Sequence, residues 1–243
     1  MSNLDVGSLE RIVPDEINTE GITASETMKL HFERYAFAKN HLVPGTLLDM
    51  ACGVGYGTAM LACGNSQISK AVGVDVSQAA VVYARRRYES GSISFEHADA
   101  LTYSPGFRFH NIVSLETVEH VEHPAELFAR FSDLLAPAGR LIASVPVTPS
   151  VDGNPHHKNN FTVNTFRRLA APHSLTLLRR LDQTQPFSPF ALARKTEPRA
   201  HGLRPNMARF YLQHPSHFLL RLWSTLAYGF VNKYVTLVWE RES

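Results

Sequence analysis

The stretch Leu47-Leu48-Asp49-Met50-Ala51-Cys52-Gly53-Val54-Gly55-Tyr56-Gly57 decides the fold. Two leucines and an acid run into a cluster of glycines, and Ala59, Met60 and Ala62 then follow at helical spacing. That order predicts a buried strand, a tight turn and a helix start. Turn residues without bulk let the backbone lie against a flat ligand. A second apolar run, Ala71-Val72-Gly73-Val74-Asp75, ends in another acid. An acid at that place accepts hydrogen bonds from the two hydroxyls of a ribose. Together the two segments predict a nucleoside-containing ligand.

Outward from this core, strands and helices alternate. Ser25 to about His41 has helical spacing, with Ser25 as N-cap and Met28, Phe32, Tyr35 and Ala36 on one face. Pro44-Gly45 ends it. Strands are predicted over 46–51, 70–75, 93–97, 111–115, 141–145, 174–181 and 234–239. Ser77 caps a helix carrying Ala80, Val81, Ala84 and Tyr88 on one side. Pro124 opens a helix with Leu127, Phe128, Phe131, Leu134 and Leu135 inward, which Pro137-Ala138-Gly139 is expected to stop. Thr162 caps a short helix, and residues 147–160 read as an exposed loop. Strands alternating with helices imply a parallel sheet covered on both faces, with ligands at the carboxyl ends of the strands. Asp49, Asp75, Asp99 and Glu116 all fall at such ends.

The chain of 243 residues carries a formal charge of +2, too little to argue for a nucleic-acid partner. Its two cysteines belong to no metal-like cluster, and Cys52 reads as a small buried filler rather than a nucleophile. The N-terminus lacks the apolar core of a signal peptide. The apolar stretch 218–231 is interrupted by Arg221 and is expected to be an amphipathic helix on the protein core, not a membrane span. These features predict a cytoplasmic chain with no integral membrane span.

The glycine turn is not a dinucleotide fingerprint. The spacing is Gly53-x-Gly55-x-Gly57, with Thr58 where the third glycine belongs, and no Gly-Lys-Ser/Thr follows. Asp49 before the turn would repel a phosphate but suits an ammonium group. A ligand with an adenosine end, a cationic amino-acid end and no phosphate fits best, and S-adenosylmethionine is such a molecule. The chain resembles the class I S-adenosylmethionine-dependent methyltransferases over about residues 30–180. The resemblance rests on residues 48–57, Val72-Gly73-Val74-Asp75-Val76-Ser77, Ala98-Asp99-Ala100, residues 112–121, and Leu135-Ala136-Pro137-Ala138-Gly139-Arg140-Leu141-Ile142.

That resemblance implies an α/β fold, a Rossmann-like, doubly wound, seven-stranded and mostly parallel sheet with its last strand antiparallel. It implies that Gly53 and Gly55, beside Asp49 and Ala51, approach the methionine and ribose portions of the cofactor. Asp75 would hold the ribose hydroxyls, and Val76 would pack on the adenine. Asp99 would meet the adenine amino group beside Ala100, and Leu115 and Glu116 would line the sulfonium end. The expected layout is one domain: an N-terminal lid region at 1–44, a cofactor-binding core at 45–181, an insert or cap at 182–231 and a last strand at 232–243. The insert is longer than the family's usual link, leaving the closing hairpin open and allowing a substrate cap or an oligomer contact. A homo-oligomer is compatible with this layout.

Methyl transfer from a sulfonium is an in-line displacement, so alignment and exclusion of water carry it, and a base is needed only for an acceptor that must lose a proton. Two histidine groups are candidates: Glu119-His120-Val121-Glu122-His123 after the fourth strand, and Asn154-Pro155-His156-His157-Lys158-Asn159-Asn160 in the loop after the fifth. His120, His156 and His157 are the candidate bases or orienting groups, with solvation and pocket shaping as their alternatives. No second cluster completes a metal site beside the first group, so no metal is expected. Similar loops and a lid segment like His31-Phe32-Glu33-Arg34-Tyr35 occur in bacterial methyltransferases acting on sugars and natural-product scaffolds. The expected activity is methyl transfer to a small-molecule hydroxyl of a glycosyl or natural-product intermediate. The alternatives are N-methylation of an amine, a non-catalytic cofactor-binding partner subunit and, more distantly, a nicotinamide enzyme.

Overall fold

The computed structural model describes residues 22–186 and 204–242. Seven strands form one sheet: β1 (Gly45–Met50), β2 (Ile68–Asp75), β3 (Ile93–His97), β4 (Phe109–Leu115), β5 (Leu135–Pro146), β6 (Leu175–Pro186) and β7 (Val231–Arg241). Their order is β3-β2-β1-β4-β5-β7-β6, with β7 antiparallel to both neighbours and the other pairs parallel. The chain leaves β1 toward β2 on one side and later returns to β4 on the other. The β1 turn therefore opens at the point where strand order reverses, the crevice where open α/β sheets bind ligands.

Alternation along the strands builds two core layers. Leu48, Met50, Val72, Ile112, Leu141 and Trp239 face α4 (Pro124–Leu134) and α5 (Val163–Arg168), through Phe128, Phe131 and Phe166. Leu47, Ala71, Val113, Ile142 and Val238 face α1 (Ile22–Lys39), α2 (Tyr56–Ala62) and α3 (Gln78–Tyr88). A period of two on each strand separates the faces. The Ser77 hydroxyl accepts from the Ala80 amide at the start of α3, and Thr162 with Thr165 forms a capping box on α5.

Four expectations are corrected. α1 begins at Ile22, so Ser25 lies inside the helix rather than capping it. Among the described side chains of residues 27–39, the buried ones are Arg34, Tyr35 and Ala38, while Phe32 and Ala36 are exposed, because a buried ion pair holds Arg34 inward. Pro137-Ala138-Gly139 does not stop a helix. α4 ends at Leu134, and these residues form an irregularity inside β5, where pairing with β4 shifts register and Ala138 has φ 55°. The closing hairpin, which the sequence leaves open, is present: β6 runs on through Pro186 and pairs with β7 from Leu175↔Arg241 to Pro186↔Val231.

The fourth correction concerns the insert. Its described part after residue 203 contains α6 (Met207–Gln213) and α7 (Pro215–Tyr228). α7 was expected on the core, but of its side chains only Ser224 is buried, and Leu219, Leu222, Trp223 and Leu226 are exposed. The attachment is polar. Arg221 Nε donates to Asp152 Oδ2 at 2.7 Å, and the Tyr211 hydroxyl donates to the same oxygen at 2.5 Å. Burial pushes the Asp152 carboxyl up, but the Arg221 hydrogen bond and charge outweigh it and hold the group below its usual range. No helix among the described residues is long and apolar enough to cross a membrane.

Candidate functional site

A cavity of about 440 Å³ opens over the carboxyl ends of β1, β2 and β4. Its floor is the turn after β1. Ala51 has φ 63° and Gly53 φ 57°, so the chain reverses in left-handed conformations. A Cβ on Gly53 would meet nothing within 4 Å, so only a side chain's absence keeps the wall flat there. The next glycines serve packing. Gly57 is pressed by Tyr35, whose Cζ would stand 1.9 Å from an added Cβ.

Asp75 lies on the cavity wall, anchored by backbone. Its Oδ2 accepts from Gly53 N and its Oδ1 from Ser77 N, both at 2.8 Å. Each oxygen has a second lone pair, so the carboxylate can still accept from a diol. Val76 stands beside it, 67% exposed and lining the cavity as a flat apolar wall. Asp99 and Ala100 close that end, with Asp99 Oδ1 accepting from Leu101 N at 2.7 Å. At the opposite end Leu115, Glu116 and Thr117 come off β4. Glu116 has φ 52° and is fixed from three sides: Arg34 Nη1 lies 2.9 Å from its Oε1, the Ser144 hydroxyl donates to Oε1 at 2.8 Å, and its own amide reaches Ser144 Oγ at 3.1 Å. A non-glycine residue held there stores strain that its partners must offset.

The structure thus brings Ala51, Gly53, Asp75, Val76, Asp99, Ala100, Leu115, Glu116, His120 and His156 to one cavity. Three expected residues do not line it. Gly55 caps α2 from behind, where a Cβ would meet Ala84 and Phe95 at 2.7 Å. Asp49 is buried beneath the turn, accepting from the Thr58 hydroxyl at 2.6 Å through Oδ2, while its Oδ1 has no hydrogen-bond partner among the described residues. Burial raises its carboxyl to about 7, against the Thr58 hydrogen bond, and the Asp75 charge adds to the rise. Asp49 thus sits beneath the turn, tied to Thr58, and is not among the residues that line the cavity. His157 is also buried, behind His120, with ring centroids 4.8 Å apart.

The expected residues omit part of the wall and its support. His31, Tyr35 and Tyr56 close the cavity from α1 and α2, with Tyr56 Oη 3.2 Å from His31 Nδ1. Asn154 joins from the loop after β5. Arg34 is the hub behind them: Nε donates to Gln183 Oε1 at 2.8 Å, and its guanidinium stacks 4.6 Å over Tyr234. A buried arginine on a helix facing strand-end acids was the signal available, but its partners lie far off in sequence.

Among the described residues no Lys or Arg side chain lines the cavity, whereas Asp75, Asp99 and Glu116 do. Such a wall opposes a phosphate and favours a cation. The volume falls within the roughly 300–1,000 Å³ of small-molecule sites. A flat glycine floor, a wall carboxylate and an apolar face suit an adenosyl ligand with a positive charge and no phosphate.

Comparison with known proteins agrees. Residues 47–139 match the family model described as a methyltransferase domain. Phosphoethanolamine N-methyltransferase 1 of Arabidopsis thaliana is 34% identical over 122 residues, 47% of this chain and 24% of that protein. The ubiquinone biosynthesis O-methyltransferase of Aromatoleum aromaticum is 29% identical over 138 residues, 55% of this chain and 53% of that protein. The chain thus spans from a quarter to about half the length of these relatives. The structure of N-methyltransferase NodS from Bradyrhizobium japonicum WM9 with S-adenosyl-L-homocysteine has a TM-score of 0.61 at 15% identity, covering 93% of this chain and 90% of that one. The strand order, the cavity at its switch point and the matched segment agree that residues 47–139 resemble a methyltransferase domain, within the fold of solved methyltransferases that bind S-adenosyl-L-homocysteine.

Proposed function

We propose that this chain transfers a methyl group to a small-molecule acceptor, with a hydroxyl oxygen of a glycosyl or natural-product intermediate as the acceptor atom. The observation that carries the reading is the polarity of the cavity: acids and a glycine floor at the nucleoside end, and His120 and His156 at the other. S-adenosylmethionine supplies a methyl already activated on sulfur. Asp75 would accept from the ribose hydroxyls, Val76 and Ala100 would flank the adenine, and Asp99 would meet its amino group. Glu116, steadied by Arg34, would favour the positive end. Leu115, Val121 and Tyr35 would exclude water, which strengthens alignment and electrostatics alike.

His120 and His156 are the candidates for taking the acceptor's proton. The His120 ring is oriented, with Nδ1 3.2 Å from the His156 carbonyl oxygen. A carbonyl only accepts, so Nδ1 carries the hydrogen and, in the neutral ring, Nε2 holds the lone pair. His157, behind that ring, would orient it rather than touch the acceptor. N-methylation is the second reading, favoured by the named phosphoethanolamine relative. It needs no strong base.

Calorimetry with S-adenosyl-L-homocysteine tests the cofactor half. Methyl release against a panel of hydroxyl and amine acceptors, with His120→Ala and His156→Ala, tests the rest. An oxygen-directed enzyme should lose turnover in at least one variant while keeping cofactor affinity. Unaltered turnover in both would leave the amine reading standing. Failure of the natural chain to bind the demethylated cofactor would remove both.

A further inference from the structure

The sequence offers no second cluster to complete a metal site beside Glu119-His120, but the fold supplies one. Glu119 and His120 lie between β4 and α4, and His157 lies in the loop between β5 and α5. One ligand atom from each falls within 4.8 Å of the other two. We propose that Glu119, His120 and His157 bind one first-row transition-metal dication of the zinc type, at the acceptor end of the cavity.

The ligand set argues for the class of ion. Two imidazoles and one carboxylate suit zinc, cobalt, nickel or iron, whereas magnesium and calcium prefer oxygen donors. Three protein ligands leave a coordination position open, as in catalytic rather than structural zinc sites. His120 lines the cavity and the other two stand behind it, so the open position would face the acceptor.

The site is built rather than accidental. The amides of Lys158 and Asn159 both donate to the Glu119 carbonyl, at 2.8 and 3.2 Å, and Asn159 Nδ2 donates to the Val121 carbonyl at 2.7 Å. These bonds join the two ligand-bearing segments directly. The carbonyl of His156 takes the Nδ1 hydrogen of His120, the outer arrangement that metal-binding histidines share, and directs Nε2 as the donor. Glu119 is fully buried. Charge withdrawn from water to that depth needs compensation close by, from an imidazolium proton or from a cation. Ligands about 2.1 Å from a tetrahedral ion stand roughly 3.4 Å apart, so the side chains would draw in by about an ångström on binding.

The role of the ion rests on the proposed methyl transfer; the site itself does not. An acceptor hydroxyl in the open position would be held beside the methyl end and made more acidic. With His120 serving as ligand, His156 would take that hydroxyl's proton, leaving the oxygen to attack the methyl carbon as the carbon–sulfur bond breaks.

The full chain, stripped with chelator, is titrated with Co²⁺ by visible absorption and with Zn²⁺ by calorimetry, and S-adenosyl-L-homocysteine binding is measured on the same samples. The expected result is one ion per chain, with affinity falling about 100-fold or more in Glu119→Gln and His157→Gln while S-adenosyl-L-homocysteine binding persists. Two outcomes would overturn the site. One is no Co²⁺ or Zn²⁺ binding by a natural chain that still binds S-adenosyl-L-homocysteine, which would leave proton sharing as the role of the cluster. The other is equal ion binding by both variants, which would place the ion on surface histidines. Ion binding without S-adenosyl-L-homocysteine binding would instead sink the methyltransferase reading and keep the site.

Discussion

Replacing Asp49 by asparagine should remove a large alkaline weakness of the fold. The Asp49 carboxyl is raised from 3.8 to about 7, chiefly by burial. Between those values the folded chain holds a proton that the unfolded chain has released, so stability from this group is fully present in acid and is lost as pH rises from about 4 through 7. At about 1.36 kcal/mol per pH unit, the gap amounts to roughly 4 kcal/mol at pH 8, an upper bound because buried sites relax. Asparagine keeps the shape, retains an oxygen for the Thr58 hydroxyl and carries no charge to bury. Urea unfolding of the natural chain and the Asp49→Asn variant at pH 5 and pH 8 measures the difference. About 1.7 kcal/mol of that is already gone at pH 5, so the variant should gain on the natural chain by up to about 2.6 kcal/mol between the two conditions. Parallel profiles, with the same gap at both pH values, would refute the argument. They would mean that Asp49 ionises freely and that water or a cation reaches it.

Asp75→Asn should weaken S-adenosyl-L-homocysteine binding by at least about tenfold in calorimetry, because it removes the charged acceptor at the proposed ribose position. Asp49→Asn should change that affinity less, because Asp49 does not line the cavity. Gly57→Ala should cost about 1–3 kcal/mol in denaturant unfolding, since its methyl would stand 1.9 Å from Tyr35 Cζ. Ala51→Gly should stabilise by up to about 1 kcal/mol, visible as a raised Tm, because Ala51 has φ 63°. An unchanged or lower Tm would show that the turn is not strained.

Much of the site was legible because it is local. A strand, its terminal acid and its glycine turn lie within residues 47–57, and the strand ends holding Asp75, Asp99 and Glu116 were legible from apolar runs stopping at polar residues. Sheet order then delivers these ends to one rim. Local patterning did not reveal which side of a turn a residue takes, and so it set Asp49 and Gly55 on the cavity wall when both pack beneath it. It also misjudged part of the buried face of α1, where Tyr35 is buried but Phe32 and Ala36 are not, because hydrophobic spacing gives no weight to an arginine that buries itself against Glu116.

The amino-acid order alone determined the alternation of strands and helices, the glycine turn that floors the cavity and the acids around it. Those follow from periodicity, side-chain size and charge between near neighbours. Tertiary structure alone decided that Arg34 pairs with Glu116, that Asp152 anchors the helix carrying Arg221, and that His157 joins Glu119 and His120. Such pairings join residues far apart in the chain. Their distances are set by how the sheet is ordered and how its loops are tied, and no short-range pattern records that.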